Sequence, residues 1–558
     1  MCCATFAILS TTACGGGGSG SSAMPQTFTV MATSGAGGSL SPSSAVVSGG
    51  NTATFTITPS AGYGIGAATG CGGTLAGNVY TTGAISGSCT VSVSFAALGP
   101  IWEGGSDTRE QAGVYGTQGQ PAASNMPGER SGAVTWTDAS GNFWLFGGDG
   151  FSRPLPNSYA EDLNDLWKYN VATGEWTWMS GSNSVGANGV YGTLGQPAAT
   201  NVPGARQGAI GWTDASGNLW LFGGSGYDAT DAGYGTLGDL WEYTPSTGEW
   251  TWQGGPNTEA DPSTAQGVYG TQGQPAASNL PGPRSTAMTW TDASGNFWMF
   301  GGFGYDSIGI YGDLNDLWEY SPSSREWTWK SGCNLSWCVD GFGGFGQTAP
   351  GARDTAVAWK DGSGNFWLFG GSGVDIHDNT GTLNDLWKYT LTTGAWTLEG
   401  GSLTFGSING FAGVYGTLGQ SSTANMPGSR YGGVGWTDAS GNLWLFGGNG
   451  YDSAATFAAP FQGWLNDLWK YDPSAGNWTW EGGSNLENAS GVYGTLGQPA
   501  AINVPGSRFA AAVWMDTNHN VWLFGGDGFD SASLGGGLND LWFLQSSSSR
   551  GCSGFGCR

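Results

Sequence analysis

The stretch PGERSGAVTWTDASGNFWLFGG at residues 127–148, followed by LNDLWKY at 163–169 and EWTW at 175–178, decides the fold of this chain. Its short apolar runs are separated by Gly, Asn and Asp turns, which predicts four β-strands. The same motifs recur at intervals of 69 to 78 residues, and the arginine of PGxR marks each copy: Arg130, Arg206, Arg284, Arg353, Arg430 and Arg508. Repeats of four short strands predict an all-β protein built as a β-propeller.

The two ends of the repeated region predict how the ring closes. The last copy stops at LNDLWFLQ, residues 538–545, without a fourth strand. The segment PIWEGGS at 100–106 matches the end of WTWEGGS at 478–484, so we expect the strand at Trp102 to complete the last blade. This predicts six blades and leaves no open sheet edge at the closure.

The order of arginine, apolar strand, GG, NDLWxY and tryptophan resembles the kelch repeat of kelch proteins and of the galactose oxidase propeller domain. The resemblance implies a six-bladed propeller of four-stranded blades over residues 101–546. Upstream, FTVMATSGAGGSLSPSSAVVSGGNTATFTITPSAGYGI resembles the InlB B-type repeat of bacterial surface proteins. That likeness implies a small β-domain over residues 26–97, which serves as a spacer.

Composition excludes several classes of protein. Of 558 residues, 105 are Gly and 30 are Trp, without the three-residue Gly period of collagen and with too many aromatic side chains for a disordered chain. The formal net charge is −25, which argues against binding to nucleic acid or to anionic membranes. A divalent cation is an easier partner for such a chain.

The N-terminus resembles the end of a bacterial lipoprotein signal peptide. Residues 1–14, MCCATFAILSTTAC, are apolar and end at Cys14, and GGGGSGSS follows. The resemblance implies lipidation of Cys14, with residues 1–25 as signal and tether and an outer-membrane or cell-surface location. A disordered N-terminus with a chance cysteine is the alternative, because no Lys or Arg precedes Arg109.

The other cysteines support export. Beyond Cys2, Cys3 and Cys14, six remain, in three pairs that are close in sequence: Cys71 and Cys89, Cys333 and Cys338, and Cys552 and Cys557. The last pair lies in a Ser-rich tail at 547–558. Zinc binding is the poorer interpretation because no partner histidines lie nearby, so we expect three disulfides formed in an oxidising compartment.

Loop lengths predict which face carries function. The turns between the first and second strands (TDASGN) and between the third and fourth (VATGE) are short, and we expect the former to be hairpin turns rather than calcium loops. The other connections are long, and all of them emerge at one end of the blades. We call that end the long-loop face and expect binding to occur there.

Two sets of side chains on this face are candidate ligand contacts. The insertion GVYGTQGQPAASNMPG at 113–128 has four close copies, which align the tyrosines Tyr115, Tyr191, Tyr269, Tyr415 and Tyr493. The six PGxR arginines begin the innermost strands. They either pair with the LNDLW and LGDLW carboxylates Asp165, Asp239, Asp316, Asp385, Asp467 and Asp540, or form a ring that binds an anionic sugar or peptide.

A third set suggests calcium. Five aspartates follow the FGGxG segment in Gly-rich turns: Asp228, Asp306, Asp375, Asp452 and Asp530. Carboxylates among exposed backbone carbonyls suit calcium. The alternative is that each aspartate caps its own loop by accepting hydrogen bonds from backbone amides.

Enzymatic chemistry finds little support in the sequence. The resemblance to galactose oxidase would require two His and two Tyr on copper, whereas His377 and His519 fall at opposite ends of the blades. We therefore predict a monomeric surface or periplasmic protein that binds a glycan or a protein and needs no cofactor, with calcium as an optional one. The alternative is a sugar epimerase or lyase that uses Arg and carboxylates, as the resemblance to kelch-propeller N-acetylneuraminate epimerases suggests. The strongest departure from sixfold repetition is the Cys333–Cys338 connection.

Overall fold

The computed structural model describes residues 26–59, 63–97, 99–152, 161–230, 233–258, 265–338, 348–406, 409–456 and 462–544. Within these ranges the chain forms β-strands and no helix, hence none that could cross a membrane. It divides into two compact units, one ending at Ala96 and one beginning at Ala97. Cys2, Cys3, Cys14, Cys552 and Cys557 lie outside the described residues.

The N-terminal unit contains two four-stranded sheets, β3-β1-β8-β5 and β2-β4-β7-β6, around a core that includes Phe55, Ile57 and Val91. Cys71 and Cys89 form a disulfide with Cα atoms 5.7 Å apart. The strands are β1 (Thr27–Ser34), β2 (Gly38–Ser41), β3 (Ser44–Ser48), β4 (Thr54–Pro59), β5 (Tyr63–Thr69), β6 (Thr74–Ala76), β7 (Val79–Thr81) and β8 (Cys89–Ala97).

The second unit contains six sheets of one pattern, which we number as blades 1 to 6. In each blade two short segments, together strand a, pair with strand b, b pairs with c, and c pairs with d, all antiparallel. Blade 1 comprises β10 (Arg130–Ser131), β11 (Val134–Thr137), β12 (Phe143–Gly150), β13 (Glu161–Asn170) and β14 (Glu175–Ser180). Blade 2 comprises β15 (Arg206–Gln207), β16 (Ile210–Thr213), β17 (Leu219–Tyr227), β18 (Tyr234–Thr244) and β19 (Glu249–Gly254).

The remaining blades repeat this order. Blade 3 comprises β20 (Arg284–Ser285), β21 (Met288–Thr291), β22 (Phe297–Tyr305), β23 (Tyr311–Ser321) and β24 (Glu326–Ser331). Blade 4 comprises β25 (Arg353–Asp354), β26 (Val357–Lys360), β27 (Phe366–Val374), β28 (Thr380–Thr390) and β29 (Ala395–Gly400). Blade 5 comprises β30 (Arg430–Tyr431), β31 (Val434–Thr437), β32 (Leu443–Gly450), β33 (Gly463–Asp472) and β34 (Asn477–Gly482). Blade 6 comprises β35 (Arg508–Phe509), β36 (Ala512–Met515), β37 (Val521–Phe529), β38 (Gly535–Leu544) and β9 (Ile101–Gly104).

Blade 6 confirms the predicted closure. Strand β9 pairs with β38, with Trp102 opposite Trp542 and Gly104 opposite Leu541. The backbone N–H of Ser106 also donates to the side-chain oxygen of Asn539 at 3.0 Å. Residues far apart in sequence therefore complete one sheet, and the all-β, six-bladed prediction is confirmed.

A ring of backbone hydrogen bonds joins the six blades near their innermost strands. Strand a is divided because the residue between its halves has a positive φ of 47–64°, a conformation that Gly adopts without strain and Thr does not. The backbone N–H of this residue donates to the carbonyl of the equivalent residue one blade earlier, at 2.7–3.0 Å. The N–H of Gly132 in blade 1 donates to the carbonyl of Ala510 in blade 6, which closes the ring. The ring residues are Gly132, Gly208, Thr286, Thr355, Gly432 and Ala510.

The repeated tryptophans pack between blades. Trp144 and Trp167 are at most 1 % exposed, and the indole N–H of Trp136 donates across to the carbonyl of Trp220 at 3.1 Å. Equivalent bonds include those from Trp212 to Trp298, Trp290 to Trp359, and Trp514 to Trp144. Each of these strand a indoles thus contributes buried apolar area and one hydrogen bond to the next blade.

We predict that the closing strand is required for stability and the N-terminal unit is not. Deleting residues 1–97 should leave the thermal midpoint of the propeller almost unchanged. Deleting through Gly104 removes β9, exposes the edge of β38 and should lower the midpoint. Differential scanning calorimetry of both truncations tests this, and equal midpoints would contradict it.

Candidate ligand-binding rim

The six PGxR arginines form buried ion pairs with the LNDLW and LGDLW aspartates, one of the two roles that the sequence left open. In blade 1 the guanidinium of Arg130 donates to both carboxylate oxygens of Asp165, at 2.7 and 2.8 Å, and to the carbonyl of Gly147. The other five pairs have the same geometry, at 2.6–2.8 Å. All six arginines are at most 1 % exposed.

The five insertion tyrosines complete these ion pairs. The hydroxyl of Tyr115 donates to Asp165 at 2.6 Å, and the indole N–H of Trp167 donates to the same oxygen at 2.7 Å. Burial and the neighbouring aspartate raise the pKa of Tyr115, so the phenol stays protonated and donates. Tyr191, Tyr269, Tyr415 and Tyr493 make the same bond to their own aspartates at 2.6–2.7 Å. Neither the arginines nor these tyrosines face solvent, so we assign ligand binding to other residues.

The insertions themselves cover sheet edges. Val114 pairs with Met126 to form a small hairpin, and Ala122 forms a bridge to Trp176 on strand d, the outer strand of the blade. Bridges to strand d also occur in blades 2, 3 and 5. A covered edge strand cannot pair with another chain, which gives the recurrent insertion a structural role.

The five aspartates considered for calcium cap loops instead. In Asp306 one carboxylate oxygen accepts the N–H groups of Ile308 and Ile310, both at 2.9 Å, and the other accepts that of Ser336 from the following d–a connection. Asp375, Asp452 and Asp530 likewise accept one backbone N–H from their own loop and one from the neighbouring d–a connection. Asp228 accepts the backbone N–H of Thr230. Calcium would have to displace these bonds, and the described residues contain no group of three His, Cys, Asp or Glu suited to a metal ion.

The first-to-second strand turns are hairpins, as predicted. Asp138 accepts the N–H groups of Ser140 and Asn142 at 2.9 Å and the indole N–H of Trp144 at 2.9 Å. His519 occupies the equivalent turn of blade 6 with φ of 62°. These turns lie at the end of the blades opposite the long-loop face.

The register of the strands reveals a set of side chains that the motifs do not contain. In each blade one residue from each of strands a, b and c forms a cross-strand row next to the long-loop face. We call these rows the inner rim, because each begins at the residue before the hydrogen-bonded ring. The rows are Ser131–Asp149–Asp162, Gln207–Ser225–Thr236, Ser285–Phe303–Asp313, Asp354–Ser372–Thr382, Tyr431–Asn449–Trp464 and Phe509–Asp527–Gly537. The rim differs from blade to blade, whereas the Arg–Asp pairs are the same in all.

Carboxyl groups gather on the rim where blades 6 and 1 meet. Asp149 lies opposite Asp162 in register, and the repulsion of Asp527 adds to burial in raising the pKa of Asp149. Burial also raises the pKa of Asp527, and a hydrogen bond with Ser131 offsets part of this rise. With Glu129, described next, these groups form the acidic arc: Glu129, Asp149, Asp162 and Asp527.

None of the four arc residues was a candidate from the sequence, and Glu129 is the one that lies inside a repeated motif. It precedes Arg130 at the variable position of PGxR, where the other blades have Ala205, Pro283, Ala352, Ser429 and Ser507. Glu129 is 2 % exposed, and its carboxylate occupies the space that a side chain at Gly537 would fill. Burial, together with Asp527, Asp149 and Glu110, raises the pKa of Glu129 to about 8. Comparing the six copies of PGxR would have singled it out.

Aromatic side chains lie next to the acidic arc in blades 5 and 6 and, away from it, in blade 3. Trp464 stacks on Phe509 with ring centroids 6.0 Å apart, and Phe509 lies opposite Asp527 in register. In blade 3, the ring of Phe303 packs against those of Tyr311 and Trp337, with centroid separations of 4.7 and 6.1 Å. Tyr311 and Trp337 are 38 % and 40 % exposed, so both rings are available to a ligand.

The departure from repetition at Cys333–Cys338 now has a structural reason. The two cysteines form a disulfide with Cα atoms 6.2 Å apart, which closes the loop that carries Trp337. The N–H of Trp337 donates to the carbonyl of Asp313 at 2.8 Å, and a side chain at Gly312 would collide with its indole. The loop thus presents an aromatic ring beside the inner rim.

The strand pairing defines the second unit as a six-bladed β-propeller. No protein-family model and no curated protein matches the chain. Among solved structures, one titled "Structure of YjhT" is similar to it at 13 % identity, over 75 % of this chain and 95 % of that chain, with a TM-score of 0.43.

We predict that the ion pairs are essential to stability. Asp239→Ala leaves Arg206 charged and buried without its partner, which should reduce the free energy of unfolding by about 3–5 kcal/mol. Tyr191→Phe removes one donor to the same carboxylate and should cost about 1 kcal/mol. Urea unfolding measures both, with Glu319→Ala at the partly exposed Lys330 pair as the control. A loss at Asp239 no larger than that of the control would contradict this role.

We also predict that stability falls as pH rises. The usual pKa of a glutamate is 4.5, and that of folded Glu129 is about 8, so the folded chain holds a proton that the unfolded chain releases between these values. Each unit of this shift corresponds to about 1.4 kcal/mol. The thermal midpoint should therefore be higher at pH 5 than at pH 8, and Glu129→Gln should flatten the dependence and stabilise the protein at pH 8. Glu249→Gln, in a third-to-fourth strand turn, is the control; an unchanged slope in Glu129→Gln would refute the assignment.

Proposed function

We propose that this protein is an exported, kelch-type propeller protein that binds a glycan through the inner rim of its long-loop face. The observation that carries the proposal is the alternation of aromatic rings and carboxyl groups on that rim. A pyranose has a face of C–H groups that packs on aromatic rings and hydroxyls that bond to carboxyl groups. Phe509 and Asp527, neighbours in register, offer both to one sugar.

Differences between the blades support this choice of site. The repeated residues already have partners within the propeller. The arginines form ion pairs with aspartates, the tyrosines donate hydrogen bonds to the same aspartates, and the tryptophans pack against adjacent blades. The rim residues change in size and polarity around the ring, as recognition of an asymmetric ligand requires. Function on this scaffold is therefore proposed where the repetition fails.

Export is part of the proposal. The Cys71–Cys89 and Cys333–Cys338 disulfides suit an oxidising compartment. Lipidation of Cys14 would tether the protein to the outer membrane or cell surface, and the N-terminal β-unit, resembling an InlB B-type repeat, would act as a spacer.

One observation favours a second candidate function, sugar epimerisation or elimination. Glu129, with a pKa raised to about 8, holds a proton at neutral pH beside Asp149 and Asp527, which is the arrangement of a general acid with nearby bases. The paired arginines would have no part in it. Proton NMR of a bound glycan incubated with the protein distinguishes the candidates, because an enzyme changes the sugar and a binding protein returns it unaltered.

We predict that Trp464 on the inner rim and Trp337 beside it carry the binding. On a glycan array the full chain should bind a defined set of sugars, and Trp464→Ala and Trp337→Ala should each weaken binding about tenfold or more through lost stacking. Leu418→Ala, an exposed apolar side chain on the blade 5 hairpin, is the control and should bind normally. Binding should persist in chelator, because the loop aspartates are occupied by backbone N–H groups. Unchanged binding by both tryptophan variants would overturn the proposed site.

A further inference from the structure

We infer that the glycan bound at the inner rim carries a positively charged amino group and that the acidic arc receives this group. The inference rests on the proposed function and specifies its ligand class as an amino sugar whose nitrogen is not acetylated. Two independent features support it: the placement of four carboxyl groups and the unsatisfied oxygens of one of them.

The placement follows from strand register. Asp149 lies opposite Asp162 in blade 1, and the Glu129 carboxylate fills the space at Gly537, the residue opposite Asp527 in blade 6. Ser131, opposite Asp149, bonds to Asp527 and joins the two halves. The arc therefore runs without interruption from blade 6 to blade 1.

Asp162 supplies the second feature. It is 2 % exposed, and neither of its carboxylate oxygens has a partner within hydrogen-bond distance, although Tyr234 and Gln207 lie near enough to lower its pKa against the effect of burial. A buried carboxylate without donors is costly, and a ligand that brings donors removes that cost. An ammonium group brings three donors and a positive charge.

The charges that face the arc select against other ligands. Glu129 faces Asp527, Asp149 and Glu110. Of the cationic groups nearby, Arg130 is bound to Asp165, and Arg109, which packs at Gly536, is bound to Glu110 and to the carbonyl of Gly535. Asp149 and Asp162 face Glu161, and Tyr234 and Gln207 are the polar groups beside Asp162. No inner-rim residue is Lys or Arg. Each of these carboxyls that is ionised repels an anionic sugar, and a neutral sugar brings no charge to compensate it.

The flanking aromatic rings fit the same ligand. Trp464 and Phe509 lie next to Asp527, and a cation over an aromatic face gains additional attraction. A sugar stacked on these rings would direct an amino substituent toward Asp527 and Glu129. Binding of the ammonium would lower the pKa of the arc carboxyls and release protons to the solvent.

Three β-1,4-linked tetrasaccharides that differ only at carbon 2 test the inference: the glucosamine tetramer, its N-acetylated counterpart and cellotetraose. In calorimetric titrations of the full chain at pH 6, we expect the glucosamine tetramer to bind at least about tenfold more tightly than the other two. Glu129→Gln and Asp527→Asn should remove this preference, whereas Glu249→Gln, a carboxyl outside the inner rim, should keep it. Heats measured in two buffers of different ionisation enthalpy should show proton release for the glucosamine tetramer alone.

The outcomes separate the inference from the proposed function. Equal binding of the three tetramers, or a preference unaffected by Glu129→Gln and Asp527→Asn, overturns the amino-sugar inference and leaves glycan binding intact. Absence of binding by the glucosamine tetramer also overturns it. If the glycan array is then empty as well, the proposed function falls with it.

Discussion

The ion pair between each PGxR arginine and the aspartate of its LNDLW or LGDLW motif is the interaction on which the propeller depends. The arginine starts strand a and the aspartate lies on strand c, so the pair spans strand b and binds a carbonyl on the way. Two buried charges are tolerated only because the guanidinium, a tyrosine hydroxyl and an indole N–H saturate the carboxylate. The Arg–Asp pair recurs in all six blades and the tyrosine in five, and the pairs fix the ends of strands a, b and c, where the inner rim lies.

A scaffold of identical clamps leaves asymmetry to the positions between them. Two unusual side chains enter the rim, and each has a glycine that makes room for it. Glu129 occupies the space above Gly537, and the indole of Trp337 lies against Gly312. These substitutions convert one sector of the ring into a carboxyl-rich site and another into an aromatic surface. The loss of repetition is therefore local, and the clamps beneath it are unchanged.

The sequence predicted the architecture well because repeated motifs report on repeated geometry. The spacing of PGxR predicted the blades, the missing last strand predicted the closure through Trp102, and the balance of charges pointed to Arg–Asp pairing. The rim was not predicted because the residues that form it are set by the register of strands a, b and c and by the positive-φ residue that divides strand a. Neither feature can be read from a sequence motif. Glu129 was visible in the alignment of the repeats, but only the structure shows that it is buried beside Asp527.

The central claim is that repeated residues build the scaffold and non-repeated rim residues bind the ligand. Transplanting the blade 2 residues into blade 1, as Glu129→Ala, Ser131→Gln, Asp149→Ser and Asp162→Thr together, tests it most directly. The thermal midpoint at pH 8 and glycan binding are measured on the same full-length variant. The account predicts a midpoint at least as high as that of the natural chain, because buried carboxyls are removed, together with loss of glycan binding. A variant that binds glycan as before, or one that unfolds, would contradict it.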